Sequence, residues 1–425
     1  MEYLAELKKI KKEQDVYVVG GLIRDYFLDK ENKDVDLIVM SGLNKYVKDF
    51  FEACGKKKLL LDDKRQIYRV VTKRNIFIDF SNPVGQDILN DLGHRDFTIN
   101  SMAIELDHIV LKDGNYYLKK DKIIDPHGAL LDLQRKKIRM VDRTFVKDDP
   151  LRIMRAYRFS ITLGFKIENK TATIIGKNLY LLKHVKNERI KEELIKIFND
   201  KINIESLNNF LKSGLINLLF NIETYQDKNN LDMLLKQNNY LCKKNIFANK
   251  YIKNYLFYLF LLYLQPIIKG DIACGEAGNI LKKYTFSKKD VEVFIKHLKI
   301  AKLIFNDINL YVNNRELIYE HLFDQEVYFD DIQYLLCSYL INCEGKVNLQ
   351  EKVVCIIDEL KLMKKRIDKK AINGDQLIEI LNIKEGRKVG EILTQIKKQK
   401  ALKKLETKKE IIEFIKKYFK KSNKN

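Results

Sequence analysis

The chain has little of what pins or interrupts a fold. Only four of its 425 residues are proline and six are cysteine. Its longest unbroken apolar run, Tyr255 to Leu264, is about half of the roughly 20 residues a membrane-spanning helix needs, so it reads as a buried helix. The cysteines (Cys54, Cys242, Cys274, Cys337, Cys343 and Cys355) are scattered, with no CxxC pair and no histidine at zinc-ligand spacing. That excludes a disulfide framework and a zinc site, and predicts free, mostly buried thiols. The first residues, MEYLAELKKIKKEQDVYVV, lack the hydrophobic block and small-residue cleavage site of a secretory signal, which predicts a cytoplasmic protein. There is no solenoid-period repeat and no low-complexity linker.

Basic charge is what the chain has in excess. Lys+Arg number 79 against 58 Asp+Glu, a net charge of +21. A basic protein of this kind meets phosphate, as nucleic acid or as an anionic membrane surface. The 46% apolar content is that of chains with ordinary cores, and the length allows about three domains at roughly 150 residues each. Eight of the 18 glycines and three of the four prolines fall in the first 150 residues, so turns and strands should concentrate there. Strand-like runs recur at Val16 to Val19, Val35 to Val39, Gln66 to Val71, Ile76 to Phe80 and Met102 to Leu106. From about Thr144 the spacing turns helical, for example at Leu207, Phe210 and Leu211, or Ile356, Leu360 and Met363.

Four segments carry residues suited to chemistry. In VYVVGGLIRDYFLDKENKDVDLIVM, a strand runs into Gly20-Gly21, where the lack of side chains lets backbone N–H groups approach a phosphate, and Arg24 follows on an amphipathic segment. Asp34 and Asp36 lie at i and i+2 of the next strand, so both carboxylates leave from one face and suit Mg²⁺; alone, such a pair is more often two solvated aspartates. In NDLGHRDFTINSMA, Arg95 either pairs with Asp96 or offers its fork to phosphate or sugar. DPHGALLDL reads as a tight turn entering a helix, with no chemistry of its own. In DDPLRIMRAYR, Pro150 suits the first helical position and Asp149 the N-cap, while Arg152, Arg155 and Arg158 share one helix face. A solvated basic face is one reading. The other is a pocket in which Asp149 accepts and an arginine donates, which would take cytosine and adenine and refuse uracil and guanine.

Together, GGLIRD with DVD, RDFTINSMA, DPHGALLDL, DDPLRIMRAYRFSITLGF and ERIKEEL, in this order, resemble the bacterial class of tRNA nucleotidyltransferases and the related poly(A) polymerases. A weaker likeness to the tail of those enzymes runs from Asn373 to Leu393. The resemblance implies an α+β protein: a polymerase-β-like nucleotidyltransferase head with a mixed sheet (1–143), then an all-α neck (144–205), body (206–365) and basic tail (366–425). It implies CCA addition to tRNA 3′ ends from CTP and ATP with Mg²⁺, without a membrane partner. By position, Asp34 and Asp36 would bind metal, Gly21, Arg24 and Arg95 the triphosphate and sugar, and Asp149, Arg152, Arg155 and Arg158 the base and its surroundings. His94 stands where the family has arginine, Ala129 replaces a glycine, and Asp148 replaces a glutamate. The link from Asn82 to Leu89 is short where the family carries a longer loop that helps admit ATP, and CC-only enzymes have it shortened. Alternatives are therefore CC-only or A-only addition, a poly(A) polymerase, or a non-enzymatic RNA-binding protein on an inactive scaffold. Asp79 is a further candidate carboxylate. No histidine is followed by aspartate, which excludes the His-Asp dyad of a phosphohydrolase domain. The terminal stretch from Lys403, with nine lysines against three glutamates, reads as a solvated helix or an RNA strip that could be trimmed after Leu402.

Overall fold

A computed structural model describes residues 2–11, 13–113, 115–142, 144–199, 203–222, 273–312, 314–323, 347–368 and 372–422. The Tyr255 to Leu264 run and Cys242, Cys337 and Cys343 lie outside the described residues. The chain forms two compact units, Met1–Leu218 and Leu219–Asn425, and the expected head and neck both fall in the first.

The first unit opens with α1 (Glu2–Lys11), β1 (Val16–Val19), α2 (Gly21–Phe27), β2 (Asp34–Val39) and α3 (Leu43–Cys54). Next come β3 (Gly55–Asp62), β4 (Ile67–Thr72), β5 (Phe77–Ser81), α4 (Ile88–Gly93) and β6 (Ala103–Glu105). These six strands make one sheet in the order β3-β4-β5-β2-β1-β6, antiparallel except for the parallel β2/β5 pair. Side chains of a strand alternate between faces. On one face Val16, Val18, Val35, Leu37, Val70, Ile78 and Phe80 are buried. Tyr46 and Phe50 of α3 cover them, with ring centroids 6.0 and 5.4 Å from that of Phe80. Each such ring contributes on the order of 1.5–3 kcal/mol by leaving water. The other face has an apolar core cluster at its β1/β6 end, where Val19, Ile38 and Ala103 pack on Ile88 and Leu92 of α4.

A separate ribbon follows, β7 (Ile109–Lys112) and β8 (Asn115–Leu118), then α5 (Ala129–Gln134) and β9 (Lys137–Ile138). After α6 (Phe145–Asp148) comes α7 (Arg152–Leu163), ended by Gly164 at φ 71°. Ile153, Met154, Tyr157 and Ile161 of α7 are buried, as its period requires. Then β10 (Lys166–Ile167) pairs with β9, and α8 (Asn169–Asn178), α9 (Asn187–Asn199) and α10 (Ile204–Lys212) complete the helical layer.

Every named element of the second unit is a helix. Helices Cys274–Lys283 and Lys288–Asn306 approach so closely that a methyl on Gly278 would run into Ile295. Beyond Val347–Asp368, three helices share a small core: Gly374–Leu381, Arg387–Ala401 and Lys408–Ser422. It is built from Leu377, Val389, Ile392, Ile396, Leu405, Ile411 and Ile415. The terminal helix is therefore half of a packed interface and no detachable strip, because cutting after Leu402 removes three of those buried residues. Among the described cysteines, all free, Cys54 and Cys274 are half-buried and Cys355 is exposed, so the expectation of mostly buried thiols fails there.

Candidate active site

The site grows from one row across the sheet. Register sets Arg69 of β4 against Asp79 of β5, Asp79 against Asp36 of β2, and Asp36 against Val19 of β1. Neighbours in a row share a face. The parallel β2/β5 pairing thus brings Asp36 and Asp79 side by side, and Asp34 lies one pleat along on the same face. Burial pushes the Asp36 carboxyl above its usual range, helped by the charges of Asp79 and Asp34, while Arg95 and Arg155 oppose the rise. The Arg69 guanidinium grips Asp79 with two 2.7 Å hydrogen bonds. No cluster of three or more metal-ligating side chains is assembled among the described residues. Of the three carboxylates on this face, Asp79 is taken by Arg69, and Asp34 and Asp36 are the other two.

Past the end of β1 the backbone turns at Gly20, whose φ of 69° and close neighbours leave no room for a side chain. A Cβ there would sit 2.9 Å from Arg95 Nη1 and 3.5 Å from Asp36 Oδ2. The Gly20 N–H donates to Met102 O at 3.1 Å, so it is spent on the fold. Arg24, on α2, is held by Asp25 through two hydrogen bonds of 2.8 and 2.9 Å and donates to Asn100 Oδ1 at 2.7 Å. Arg95 donates to Asp91 Oδ2 at 3.0 and 2.9 Å. Asp91 is four residues back on α4, so the suggested Arg95–Asp96 pair does not form. Asp96 is instead buried and takes Arg155 Nε at 2.7 Å, Asn100 Nδ2 at 2.9 Å and the Phe97 N–H at 2.8 Å. Burial alone would raise its pKa, but these donors hold it down at about 2.

Helix α7 starts two residues later than Pro150 suggests. Leu151 is its N-cap, and Asp149 accepts from the Leu151 N–H at 3.2 Å without capping the helix proper. Both oxygens of Asp149 face Arg189 of α9, at 2.8 and 3.2 Å. Arg152 donates to His94 O at 2.7 Å. Arg158 lies 3.0 Å from Glu193, which is almost wholly buried, and burial pushes the arginine down to about 10 against the pull of Glu193. The rings of the site are few. Phe159 alone carries Arg24, Arg155 and Arg158 at 5.2, 5.4 and 4.4 Å from its centroid. The arginine face is thus a network of acceptor-bound cations and no plain solvated stripe.

Gly21, Arg24, Asp34, Asp36, Arg95, Asp149, Arg152, Arg155 and Arg158 all line one cavity of about 1280 Å³, together with Arg69, Asp79 and Arg189. That exceeds the roughly 300–1,000 Å³ usual for a small-molecule site. Its rim from Asn82 to Asp87 is short and fixed: the Val84 N–H donates to Asp91 at 3.1 Å, and Asp87 caps α4 through the Asn90 N–H. His94 is exposed with Nδ1 2.8 Å from Asn90 O, and the Ala129 N–H donates to Asp125. Arg189, Glu193 and Asp25 went unassigned at the level of sequence. The first two sit in the ERIKEEL segment, where a motif marked the region without saying which side chains turn inward.

Three family profiles match in chain order: "Poly A polymerase head domain" over 16–139, "Probable RNA and SrmB- binding site of polymerase A" over 164–223, and "tRNA nucleotidyltransferase domain 2 putative" over 279–415. The CC-adding tRNA nucleotidyltransferase of Geobacter sulfurreducens is 34% identical over 184 residues, 43% of this chain and only 40% of that protein. The CCA-adding enzyme of Streptococcus uberis is 26% identical over 415 residues, 92% of this chain and 90% of the relative. In fold, the chain is similar to the Thermotoga maritima CCA-adding enzyme complexed with tRNA, with a TM-score of 0.71 at 24% identity over 98% of this chain and 95% of that one. Head, RNA-binding and second-domain matches in one order, on a mixed sheet that carries the paired aspartates, make the chain similar to tRNA nucleotidyltransferases and poly(A) polymerases along most of its length.

Proposed function

We propose that the chain is a template-independent nucleotidyltransferase that adds CCA, from CTP and ATP, to the 3′ end of tRNA and releases pyrophosphate. One observation carries the reading: the paired aspartates of β2 and the Asp149/Arg152 start of α7 face a single cavity large enough for a nucleoside triphosphate and an RNA end. The family and the basic charge support it. The division into head (1–143), neck (144–205), body (206–365) and tail (366–425), and a cytoplasmic location, belong to the same proposal. Among the described residues no helix is long and apolar enough to cross a membrane.

Asp34 and Asp36 fit a divalent cation, Mg²⁺ in this proposal. Both donors are oxygens, and Mg²⁺ is commonly held by one or two carboxylates with substrate phosphates completing the shell. The like charges that raise the Asp36 carboxyl are also what a cation relieves. A cation there supplies charge neutralisation at the reacting phosphate. The protein's own groups supply position. Gly21 leaves the backbone open beside Arg24 and Arg95, whose guanidinium groups face the triphosphate and sugar. As the RNA 3′-hydroxyl gives up its proton to solvent and its oxygen bonds to the α-phosphorus, the bond from that phosphorus to the bridging oxygen of the pyrophosphate breaks and the leaving charge develops toward these arginines. Asp149 accepts from the exocyclic amine of cytosine or adenine, and Arg152 donates to the adjacent ring nitrogen. Arg155 and Arg158 hold the surrounding face, anchored on Asp96 and Glu193.

A second reading, CC-only addition, has a specific observation in its favour: the pinned rim from Asn82 to Asp87, together with the likeness to CC-adding relatives. One experiment decides. Purified chain, Mg²⁺ and tRNA ending at the discriminator base, C or CC are incubated with CTP and ATP supplied separately and together, and products are sequenced. Full CCA supports the lead, a stop at CC supports the second reading, long adenosine ladders support a poly(A) polymerase, and no incorporation removes the enzyme.

A further inference from the structure

Away from the large cavity, a second cleft of about 490 Å³ lies between the end of α2 and the β7–β8 ribbon. This is within the roughly 300–1,000 Å³ of small-ligand sites. Its floor is aromatic: Phe27, Tyr26 and Tyr116 form a ladder with centroid separations of 5.6 and 5.7 Å. Register and alternation put Tyr116 toward α2 and Tyr117 outward opposite Val110. Tyr117 is 46% exposed, an aromatic surface the packing of the ribbon does not use. Cations stand at the rim. Lys120 Nζ sits 5.6 Å from the Phe27 centroid, and Lys30 Nζ reaches the Thr162 carbonyl at 3.4 Å. Asp29 is the one acid lining the cleft.

Anchoring the ribbon explains Tyr116, because a two-stranded ribbon is marginal alone. It does not explain two lysines at the cleft, or the exposed Tyr117 that meets its edge from the ribbon's other face. Flat rings beside ammonium groups are what a nucleotide requires, a face for the base to stack on and cations for its phosphate. A strand of RNA is favoured over a free nucleotide by the openness of Tyr117 and by the chain's net charge of +21, which draws polyanions. We infer that this cleft binds an unpaired nucleotide of single-stranded RNA, with the base against Tyr26 and Tyr116, the phosphate at Lys30 and Lys120, and the next base of the strand stacked on Tyr117 at the edge of the cleft. The inference is independent of the transfer chemistry above.

The test uses the full chain and a uridine octamer carrying 5-iodouridine, photocrosslinked and mapped by mass spectrometry. Adducts are expected on Tyr26, Tyr116 or Tyr117. In Tyr117→Ala, the RNA concentration giving half-maximal adduct at the remaining tyrosines should rise about five-fold or more, the lower end of the range for losing one stacking ring. In Lys120→Glu the rise should grow as salt is lowered. Both side chains are exposed, so thermal unfolding of the variants should match wild type. Adducts only elsewhere at saturating RNA, or the same half-maximal concentration in both variants, overturn the inference. So does displacement by UMP at the same concentration as by unlabelled octamer, which would assign the cleft to free nucleotides.

Discussion

Replacing Asp96 by asparagine keeps the shape of the side chain and removes its charge. Asp96 is buried, and its donors hold the carboxyl at about 2 against an ordinary value of 3.8. At 1.36 kcal/mol per pKa unit that gap is worth about 2 kcal/mol at pH 7. Stranding one partner of a buried ion pair costs about 3–5 kcal/mol in measured cases, so the two routes bracket the loss at roughly 2–5 kcal/mol. The Asn amide oxygen can still accept from Asn100 and the Phe97 N–H, whereas its NH₂ would face the Arg155 fork. The sign with pH follows from the depressed value. The contribution is fully present above about 3.8, falls to about half by pH 3 and is gone below 2. Urea unfolding of wild type and Asp96→Asn, followed by circular dichroism at pH 7 and pH 3, measures it on the transition of the first unit. Equal stability at pH 7 within about 0.5 kcal/mol, or a difference that persists undiminished at pH 3, would refute the reasoning.

Asp34→Ala should abolish nucleotide incorporation while tRNA affinity, read by filter binding, changes less than about two-fold, because it removes a cation ligand and no phosphate contact. Arg189→Ala should leave thermal stability within about 1 kcal/mol, as expected of an exposed pair, yet raise the KM for CTP several-fold and admit UTP, because Asp149 loses the fork that orients it. Arg189→Lys should restore part of that discrimination, a rescue that bulk alone would not give. Lys416, Lys417 and Lys420 are exposed on the terminal helix. Reversing them to Glu should flatten the log–log salt dependence of tRNA binding by about 0.7–0.9 per lost phosphate contact without altering which nucleotide is added.

The head was legible because its strands are short apolar runs between turns, and β1 falls on the residues from Val16 to Val19 that the pattern marked. Strand β3 was not legible. Its sequence, GKKKLLLD, has no alternation and its middle is exposed, because an edge strand has one neighbour and little core to face. The nine candidate residues were marked by type, spacing and the family resemblance, and the fold gathers them around one cavity. Their partners were not found. Arg95 chooses Asp91, four residues back on α4, over adjacent Asp96, whose oxygens are taken by Arg155, Asn100 and the Phe97 N–H. Arg189 reaches Asp149 across 40 residues, a pairing set by how α9 packs on α7. The tail misled for another reason: lysines dominate its composition, while two isoleucines a turn apart, Ile411 and Ile415, decide that it packs.

The parallel pairing of β2 with β5 has an evolutionary consequence. Everything between them, α3 and the β3–β4 hairpin, departs after one aspartate and builds the far edge of the sheet before β5 brings the other. The tip of that hairpin, Lys64 to Gln66, borders the large cavity. The tip of the hairpin can therefore lengthen, shorten or change sequence without moving the carboxylates, since their spacing is set by the pairing of β2 with β5. A lineage could retune what enters the cavity by editing this tip alone, and a designer could graft a foreign turn there to redirect the choice of substrate while the reacting groups stay where the sheet holds them.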